Sequence, residues 1–249
     1  MRTVLMADKA VGEAIARFLL EQHKDTLELV VTTADNQISQ LARQAGVPTV
    51  VYQSEAALLQ LLEGRTVDLG VLAWWPHILR APLIQRPRLG IINTHPSLLP
   101  HNRGKHYYFW AIVERVPFGV SLHWVNQAVD AGPVVAQQEI PYDWTDTGKT
   151  LFDKAQRAMP ELFRATYPRL LRGELPRTPQ PEGVGSFHHS RELEGASQIH
   201  LDRTYTGREL LNLMRARTFE EYQGCWFVDG DQRFDVRTVI RPLKEGGSA

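Results

Sequence analysis

The sequence predicts an α/β protein built on a mainly parallel, twisted sheet, followed by a small carboxyl-terminal α+β region that ends in a hairpin. Strand-like and helix-like patterns alternate through the first half of the chain, as in sheets whose parallel strands are joined by helices. A stretch rich in proline and glycine, 172–186, reads as a linker to a shorter tail. The 249 residues are enough for one buried core with a small appended unit.

The elements of the first half follow one another in a regular order. Short apolar runs predict strands, and apolar residues at helical spacing predict the helices between them. The predicted strands are 3–6, 27–32, 47–52, 68–74, 90–95 and 119–125, and the predicted helices are 11–19, 36–45, 55–63 and 148–172. Pro160 and Pro168 are expected to break the last helix, because proline lacks the amide hydrogen that a helix interior needs.

Two local signals lie in the tail. Thr206 and Glu209 form a T-x-x-E capping box, which predicts a helix running to about Met214. The run CWFVDGDQRFDV predicts a β-hairpin that turns at Asp229–Gly230. We therefore expect a main unit over residues 1–180 and a small carboxyl-terminal region over 187–249.

The composition argues against several classes of function. Lys plus Arg equals Asp plus Glu at 28 each, so no net charge favours nucleic acid or an anionic membrane. No apolar run approaches the roughly 20 residues that cross a bilayer. The single cysteine, Cys225, excludes an intramolecular disulfide and a cysteine-rich metal site. We expect a cytoplasmic protein that binds neither membrane nor nucleic acid.

Familiar nucleotide and metal motifs do not fit this sequence. No G-x-G-x-x-G follows the first strand, where the loop reads ADKAVG. The run Gly148–Thr150 resembles the end of a phosphate loop, but Asp143 stands where the first glycine is required, so a capped helix start is favoured. His95, His101 and His106 lack the spacing of ligands on one helix face, and we expect no metal.

The strongest chemical candidate is IINTHPSLLP at 91–100. Asn93 and His95 are two residues apart, so in an extended segment both side chains point the same way. At the end of a buried strand they would face the crevice outside the carboxyl ends of the sheet. Asparagine offers neutral donors to an oxyanion, and histidine carries protons near neutral pH. Spacing alone leaves open a surface asparagine and a loop histidine.

A second candidate is Asp130, within QAVDAGPVV at 127–135. An aspartate before Ala-Gly is usually a turn former. It could instead orient a nearby histidine and stabilise its charge. Sequence distance does not decide between these two interpretations.

NTHPSLLP followed by GVSLHWVNQAVDAGPVVAQ resembles the 10-formyltetrahydrofolate-dependent formyltransferases, over roughly residues 1–170. The resemblance implies a Rossmann-like formyltransferase domain, here residues 1–180, and places the family's catalytic residues on Asn93, His95 and Asp130. It also implies 10-formyltetrahydrofolate as the formyl donor, without a metal. The candidate contacts of this folate are Trp75, His77, Leu79, Val129 and Gly132. A tryptophan beside Pro76 could equally be plain core.

HNRGKHYYFWAIVERVPFGVSLHW at 101–124 looks similar to the nucleotide-sugar N-formyltransferases, as does the tail that begins FHHSRELEGASQ. This resemblance implies a homodimer whose acceptor is the amine of a dTDP- or GDP-linked 3- or 4-amino-dideoxy sugar, for surface polysaccharide such as lipopolysaccharide O-antigen. The candidate substrate contacts are Asn102, Arg103, Lys105, Tyr222 and Trp226. The basic pair could simply be solvated, and Trp226 could serve only the hairpin.

Three alternatives stay open at this point. A methionyl-tRNA formyltransferase would share the catalytic residues but would normally add a tRNA-binding domain, whereas the last 49 residues carry eight basic and eight acidic side chains. A formyltransferase acting on a hydroxyornithine-type siderophore precursor also fits. From a different class, the chain could be a catalytically silent protein that binds folate or nucleotide sugar. Intact Asn93, His95 and Asp130 argue against that last hypothesis.

Overall fold

The computed structural model describes residues 1–243. Its strands are β1 (Thr3–Ala7), β2 (Leu27–Thr32), β3 (Thr49–Val51), β4 (Leu69–Ala73), β5 (Gly90–His95), β6 (Arg103–Gly104), β7 (Gly119–Trp124), β8 (Val134–Glu139), β9 (Phe187–His188), β10 (Cys225–Asp229) and β11 (Gln232–Val236). Its helices are α1 (Lys9–Gln22), α2 (Gln37–Gln44), α3 (Glu55–Leu61), α4 (Ala81–Ile84), α5 (Tyr107–Glu114), α6 (Gly148–Leu171), α7 (Glu192–Ala196) and α8 (Gly207–Arg217).

Seven strands form one sheet in the order β3-β2-β1-β4-β5-β7-β8. The strands up to β5 pair in parallel, while β7 pairs antiparallel with both β5 and β8. This topology confirms the predicted α/β class and the mainly parallel sheet. Because the chain winds outward in both directions from β1, the carboxyl ends of the central strands border a crevice.

Helices cover both faces of the sheet and close two hydrophobic cores. Alternate residues of a central strand enter opposite cores, as a pleated strand requires. Leu5 and Ala7 join the larger core, formed with α1, α2, α5 and α6. Val4 and Met6 join the smaller core, formed with α3 and α4. Burial on both faces explains why these strands are continuous apolar runs rather than alternating ones.

α6 is one continuous helix of 24 residues, so the predicted breaks at Pro160 and Pro168 are wrong. A proline inside a helix costs roughly 3 kcal/mol. The apolar face of α6 buries large side chains, among them Phe163 and Tyr167, and this packing outweighs the local cost. Its start is the predicted capped one, because Thr147 and Thr150 form a capping box. No helix within residues 1–243 is long and apolar enough to cross a bilayer.

The carboxyl-terminal hairpin is β10 and β11, which pair antiparallel. Asp229 pairs with Gln232, so the turn consists of Gly230 and Asp231 and lies one residue beyond the predicted position. Gly230 has a φ of +58°, which glycine adopts without steric cost. The predicted capping box at Thr206 is confirmed and opens α8.

The proline- and glycine-rich segment 172–186 packs along the main unit and is more than a spacer. The guanidinium of Arg177 lies 3.9 Å from the ring centroid of Trp124 and donates to the carbonyl of Leu89. Thr178 exchanges backbone hydrogen bonds with Val134. The composition predicted a linker here, but the segment pairs with β8 at Val134 and extends the sheet edge.

α8 packs against α5 and α6 through a close backbone approach. A Cβ added to Gly148 would lie 2.2 Å from the carbonyl oxygen of Ala216, so only glycine fits where α6 begins. Behind this contact Cys225 is fully buried, and its thiol donates to the carbonyl of Leu213. The tail is therefore fastened to the main unit by tight packing.

Candidate active site

The candidate site lies where β5 ends. Ile91 belongs to the smaller core, and Asn93 and His95 continue the same face of the strand. Leu72 of β4 pairs with Asn93 and is the last residue of its strand in that core. Beyond this level the same strand face carries the polar side chains of Asn93 and His95.

Asn93 lies directly opposite His123 in the antiparallel pair β5–β7. The amide Nδ2 of Asn93 is 3.1 Å from Nε2 of His123. Nδ1 of His123 is 3.0 Å from the carbonyl oxygen of Trp124, which can only accept. This ring nitrogen therefore carries a proton, and Nε2 accepts the hydrogen bond from the amide nitrogen of Asn93.

Asp130 brings the three predicted residues into one cluster. Its Oδ1 accepts from Nδ2 of Asn93 at 3.4 Å, and its Oδ2 is 3.3 Å from Nδ1 of His95. The amide of Gly104 donates to Oδ2 at 3.0 Å. Asp130 has a φ of 52°, a conformation that aspartate tolerates in turns. It is thus both a turn residue and a partner of the histidine.

The electrostatics of the cluster favour an ionised carboxylate and a neutral imidazole. Burial by itself would raise the pKa of Asp130, but the imidazoles of His95 and His123 and the amide of Gly104 hold it well below its usual range. Burial lowers the pKa of His95, and the Asp130 carboxylate opposes this effect without cancelling it. A neutral histidine beside a carboxylate can accept a proton and be stabilised once charged.

The loop that carries Asp130 is fixed through its backbone. Nε2 of Gln180 donates to the carbonyls of Asp130 and Gly132, both at 2.8 Å. A Cβ added to Gly132 would lie 1.7 Å from the carbonyl oxygen of Trp124, so the loop passes against β7 at a distance that only glycine permits. Gly132, one of the predicted folate contacts, is therefore also required for the packing of this loop against β7.

The other predicted folate contacts lie after β4. The rings of Tyr52, Trp75 and His77 form an aromatic cluster, with the Trp75 and His77 centroids 5.4 Å apart. Nε1 of Trp75 is buried without a hydrogen-bond partner. Leu79 is buried in the smaller core, whereas Val129 is exposed in the Asp130 loop. Trp75 and His77 are thus adjacent, and the buried leucine offers a ligand little surface.

The predicted substrate contacts fall into separate places. Asn102 is buried, and Arg103 and Lys105 flank Gly104 at β6, with the lysine exposed. Tyr222 is exposed and packs against Phe219. Trp226 lies on β10 against the guanidinium of Arg233, at 3.7 Å from the ring centroid, and donates to the carbonyl of Glu194. Asn102, Arg103 and Lys105 adjoin the cluster through Gly104, whereas Trp226 packs on α7.

Sequence reasoning missed His123 and Gln180. The strand GVSLHWV alternates, with Val120, Leu122 and Trp124 in the larger core, so His123 had to face the opposite side. That alternation was a usable signal for a polar residue facing the crevice. Gln180 had no such signal, because it lies in the irregular segment. Within residues 1–243, no group of three or more His, Cys, Asp or Glu side chains could hold a metal ion.

Comparisons with known proteins show the family of this chain. A family model described as formyl transferase matches residues 3–166, which is more than half of the chain. A second model, described as the N-formyltransferase dimerization C-terminal domain, matches residues 192–242. Methionyl-tRNA formyltransferases from Geobacillus thermodenitrificans and Listeria monocytogenes are 36% and 34% identical over 70% and 72% of this chain. The chain spans a little over half of these relatives, at 56% and 57% of their lengths.

Solved structures share the fold over nearly the whole chain. A candidate sugar N-formyltransferase from Mycobacterium tuberculosis superposes with a TM-score of 0.81 at 24% identity, covering 98% of this chain and 99% of that one. A sugar N-formyltransferase from a Shewanella species gives 0.79 at 20% identity, with 98% and 99% covered. A 4-N formyltransferase from Francisella tularensis gives 0.79 at 20%, with 97% and 99% covered. Because the matching model spans more than half of the sequence, this chain belongs to the formyl transferase family.

Proposed function

We propose that this chain transfers a formyl group from 10-formyltetrahydrofolate to the amine of a nucleotide-linked amino-dideoxy sugar, a building block of surface polysaccharide. The observation that carries the proposal is the convergence of Asn93, His95 and Asp130 at the end of β5. An amide donor and a buried imidazole, each within 3.4 Å of the same ionised carboxylate, suit acyl transfer to an amine. Family membership supports the same chemistry.

In the proposed mechanism each residue has one task. Nδ2 of Asn93 donates to the formyl oxygen as negative charge develops there, and the longer of its two hydrogen bonds, that to Asp130 at 3.4 Å, is the one it exchanges. Neutral His95 accepts the proton that the amine loses as its nitrogen bonds to the formyl carbon. The same proton returns to N10 of the folate as the old C–N bond breaks. Asp130 stabilises the imidazolium between these transfers.

The residues after β4 fit a folate. When bound, this cosubstrate supplies the formyl group on its N10. Trp75 and His77 offer aromatic surface, and the unpartnered Nε1 of Trp75 is a donor for a polar heterocycle. Val129 and Gly132 border the site from the Asp130 loop. Solved relatives support the idea, because a Helicobacter canadensis N-formyltransferase with this fold is described in complex with folinic acid and dTDP-3-aminofucose.

A nucleotide sugar is favoured over other acceptors by the structural neighbours. Sugar N-formyltransferases superpose over 98% of this chain, including the tail. The exposed Lys105 and the neighbouring Arg103 are suited to a diphosphate, and Tyr222 has an exposed ring for a base. The match of residues 192–242 to a dimerization domain supports a homodimer, and we propose a cytoplasmic one.

A second candidate is formylation of methionyl-tRNA. It is favoured by the 36% identity to a methionyl-tRNA formyltransferase over 184 residues. The equal numbers of basic and acidic residues weigh against binding a polyanion of that size.

The test is a direct assay. The protein is incubated with 10-formyltetrahydrofolate and dTDP- or GDP-linked 3- or 4-amino sugars, and the release of tetrahydrofolate is followed. We expect release only with one class of amino sugar, and a thermal shift with the same nucleotide. Formylation of methionyl-tRNA but of no sugar would establish the second candidate. Release without any acceptor would indicate a hydrolase and overturn both.

A further inference from the structure

Glu114, the last residue of α5, joins three polar side chains beside the candidate active site. Its Oε2 accepts from Nδ2 of Asn102 and from Oγ of Ser186, both at 2.7 Å. Its Oε1 accepts from Nε2 of His188, also at 2.7 Å. Three short bonds meet on this one carboxylate, one from Ser186 at the end of the 172–186 segment and one from His188 just beyond it, so Glu114 is the centre of a polar cluster.

The hydrogens of this cluster can be assigned from the partners. Ser186 has one hydroxyl hydrogen, which it gives to Glu114, so its oxygen is free to accept from the amide and from Nδ2 of Asn102 at 3.3 and 3.2 Å. Both oxygens of Glu114 and the oxygen of Ser186 are therefore used by donors. The arrangement fixes Asn102 through its backbone amide and its side chain together.

His188 holds Glu114 from the other side. Its two ring nitrogens face carboxylate oxygens, Glu114 at 2.7 Å and Glu192 at 3.0 Å, and carboxylates only accept. Both bonds form only when the ring is the imidazolium. The ring stacks on the indole of Trp110 with centroids 3.7 Å apart and planes 7° apart, a contact that favours a cation. The amide of His189 and then the imidazole of His188 lower the pKa of Glu192.

The backbone of Asn102 connects this cluster to His95. Asn102 has a φ of 53°, and its carbonyl oxygen is 3.3 Å from Nε2 of His95. Two residues further on, the amide of Gly104 donates to Asp130. The strand pair β6–β9 carries this segment, with the amide of Lys105 donating to the carbonyl of His188. The main chain of 102–104 thus touches both members of the histidine–aspartate pair.

We propose that Glu114 is a positioning residue, which fixes the Asn102 carbonyl as the second hydrogen-bond acceptor for His95. The proposal rests on the proposed function above. In the resting state the ring of His95 is neutral, and only one of its nitrogens can donate. After His95 accepts a proton, both nitrogens donate, one to Asp130 and the other to the Asn102 carbonyl. A carbonyl held rigidly stabilises the charged ring more than a mobile one does.

The test compares Glu114→Gln with Glu161→Gln, a control on α6 whose side chain is 70% exposed. Glutamine has an NH₂ group in place of one carboxylate oxygen of Glu114. This group donates hydrogen bonds at a position where the oxygen accepts them. We expect Glu114→Gln to lower kcat about 10- to 100-fold while the KM of each substrate stays within about threefold, because the change acts on a charged transition state. The control keeps both constants. A higher KM for either substrate together with an unchanged kcat in Glu114→Gln would overturn the proposal.

A spectroscopic measurement separates this proposal from the proposed function. Histidine labelled with ¹⁵N reports the protonation of His95, assigned by the signal missing in His95→Gln. The charged and titratable groups that face His95 are Asp130, His123 and Lys105, which Glu114→Gln leaves unchanged. Loss of a fixed acceptor should move the titration of His95 to lower pH, because that acceptor favours the protonated ring.

The outcomes remain distinct even if a variant is unstable. Ser186→Ala keeps Glu114 and removes one anchor of Asn102, so we expect a smaller shift in the same direction. A His95 titration identical in wild type, Glu114→Gln and Ser186→Ala would overturn the positioning role. A shifted titration in a protein that formylates no amine would uphold the positioning role and refute the proposed function.

Discussion

Asn93 and His123 face each other across the β5–β7 pair, and the asparagine amide donates to Nε2 of the histidine at 3.1 Å. This contact fixes which way the amide points, because its nitrogen must face the ring and its oxygen must turn away. The same nitrogen also reaches Asp130 at 3.4 Å. The donor proposed for the formyl oxygen is thus oriented before any substrate arrives, which is the condition for electrostatic catalysis without reorganisation.

Replacing the proposed donor should lower kcat strongly without unfolding the protein. For Asn93→Ala we expect kcat to fall by about 10²–10³, the usual cost of one oxyanion donor. Asp130→Ala should cost at least as much, since it removes the charge beside His95. Circular dichroism and melting temperature serve as the folding control. Near-wild-type rates for either variant would refute the assigned roles.

His123→Phe tests the orienting contact itself. The ring is fully enclosed, so phenylalanine keeps most of the packing but removes the acceptor for the Asn93 amide. We expect kcat to fall roughly 10-fold or more as the amide loses its fixed orientation. A variant with His200→Phe, in the exposed tail, is the matched control. Equal rates for the two variants would show that Asn93 needs no partner on β7.

The decrease of kcat at acidic pH should begin below the pH at which an ordinary histidine is protonated. Burial lowers the pKa of His95 from its ordinary value of 6.5, so the neutral, proton-accepting ring persists to more acidic pH. We expect kcat to stay level from pH 8 to about 6.5 and to fall only below it. In the unfolded chain His95 has its ordinary pKa and binds a proton more tightly than in the folded protein. The free energy of unfolding therefore also decreases as the pH drops below 6.5. A decline beginning above pH 7 would contradict this assignment.

Gly132→Ala should damage both folding and activity. The added methyl group would meet the carbonyl oxygen of Trp124 at 1.7 Å, so the loop must move away from β7. Overpacking of this kind costs about 1–3 kcal/mol, and the displacement passes directly to Asp130. Urea unfolding and kcat are the measurements. Gly195→Ala, whose Cβ would meet nothing within 4 Å, is the control and should change neither.

Cys225 should be unreactive in the folded protein. The thiol is fully buried, and burial raises its pKa to about 12. At pH 8 almost no thiolate is present, and the reagent has no access. We expect no reaction with a disulfide reagent under native conditions and one equivalent after unfolding in guanidinium. Rapid native labelling would show that β10 separates readily from α8.

The sequence by itself determined the class of fold and the chemical candidates. Strand and helix periods reflect local burial, so the alternating elements, the capping box at Thr206 and a capped helix start near Gly148 were predicted from the sequence. The spacing of Asn93 and His95 fixed their common direction, because a strand has a period of two. The family resemblance then implied the role of Asp130, which sequence distance alone had left open.

Only the tertiary structure decided which distant groups meet. Antiparallel pairing of β5 with β7 brought His123 to Asn93, and the irregular segment after α6 brought Gln180 to the Asp130 loop. Packing of α6 outweighed two prolines that a local rule would treat as breaks. The contacts of His95 and Asp130 with residues 102–104 run through backbone atoms, which have no signature in side-chain identity. Long-range pairing and main-chain contacts depend on the whole sheet, so no single segment encodes them.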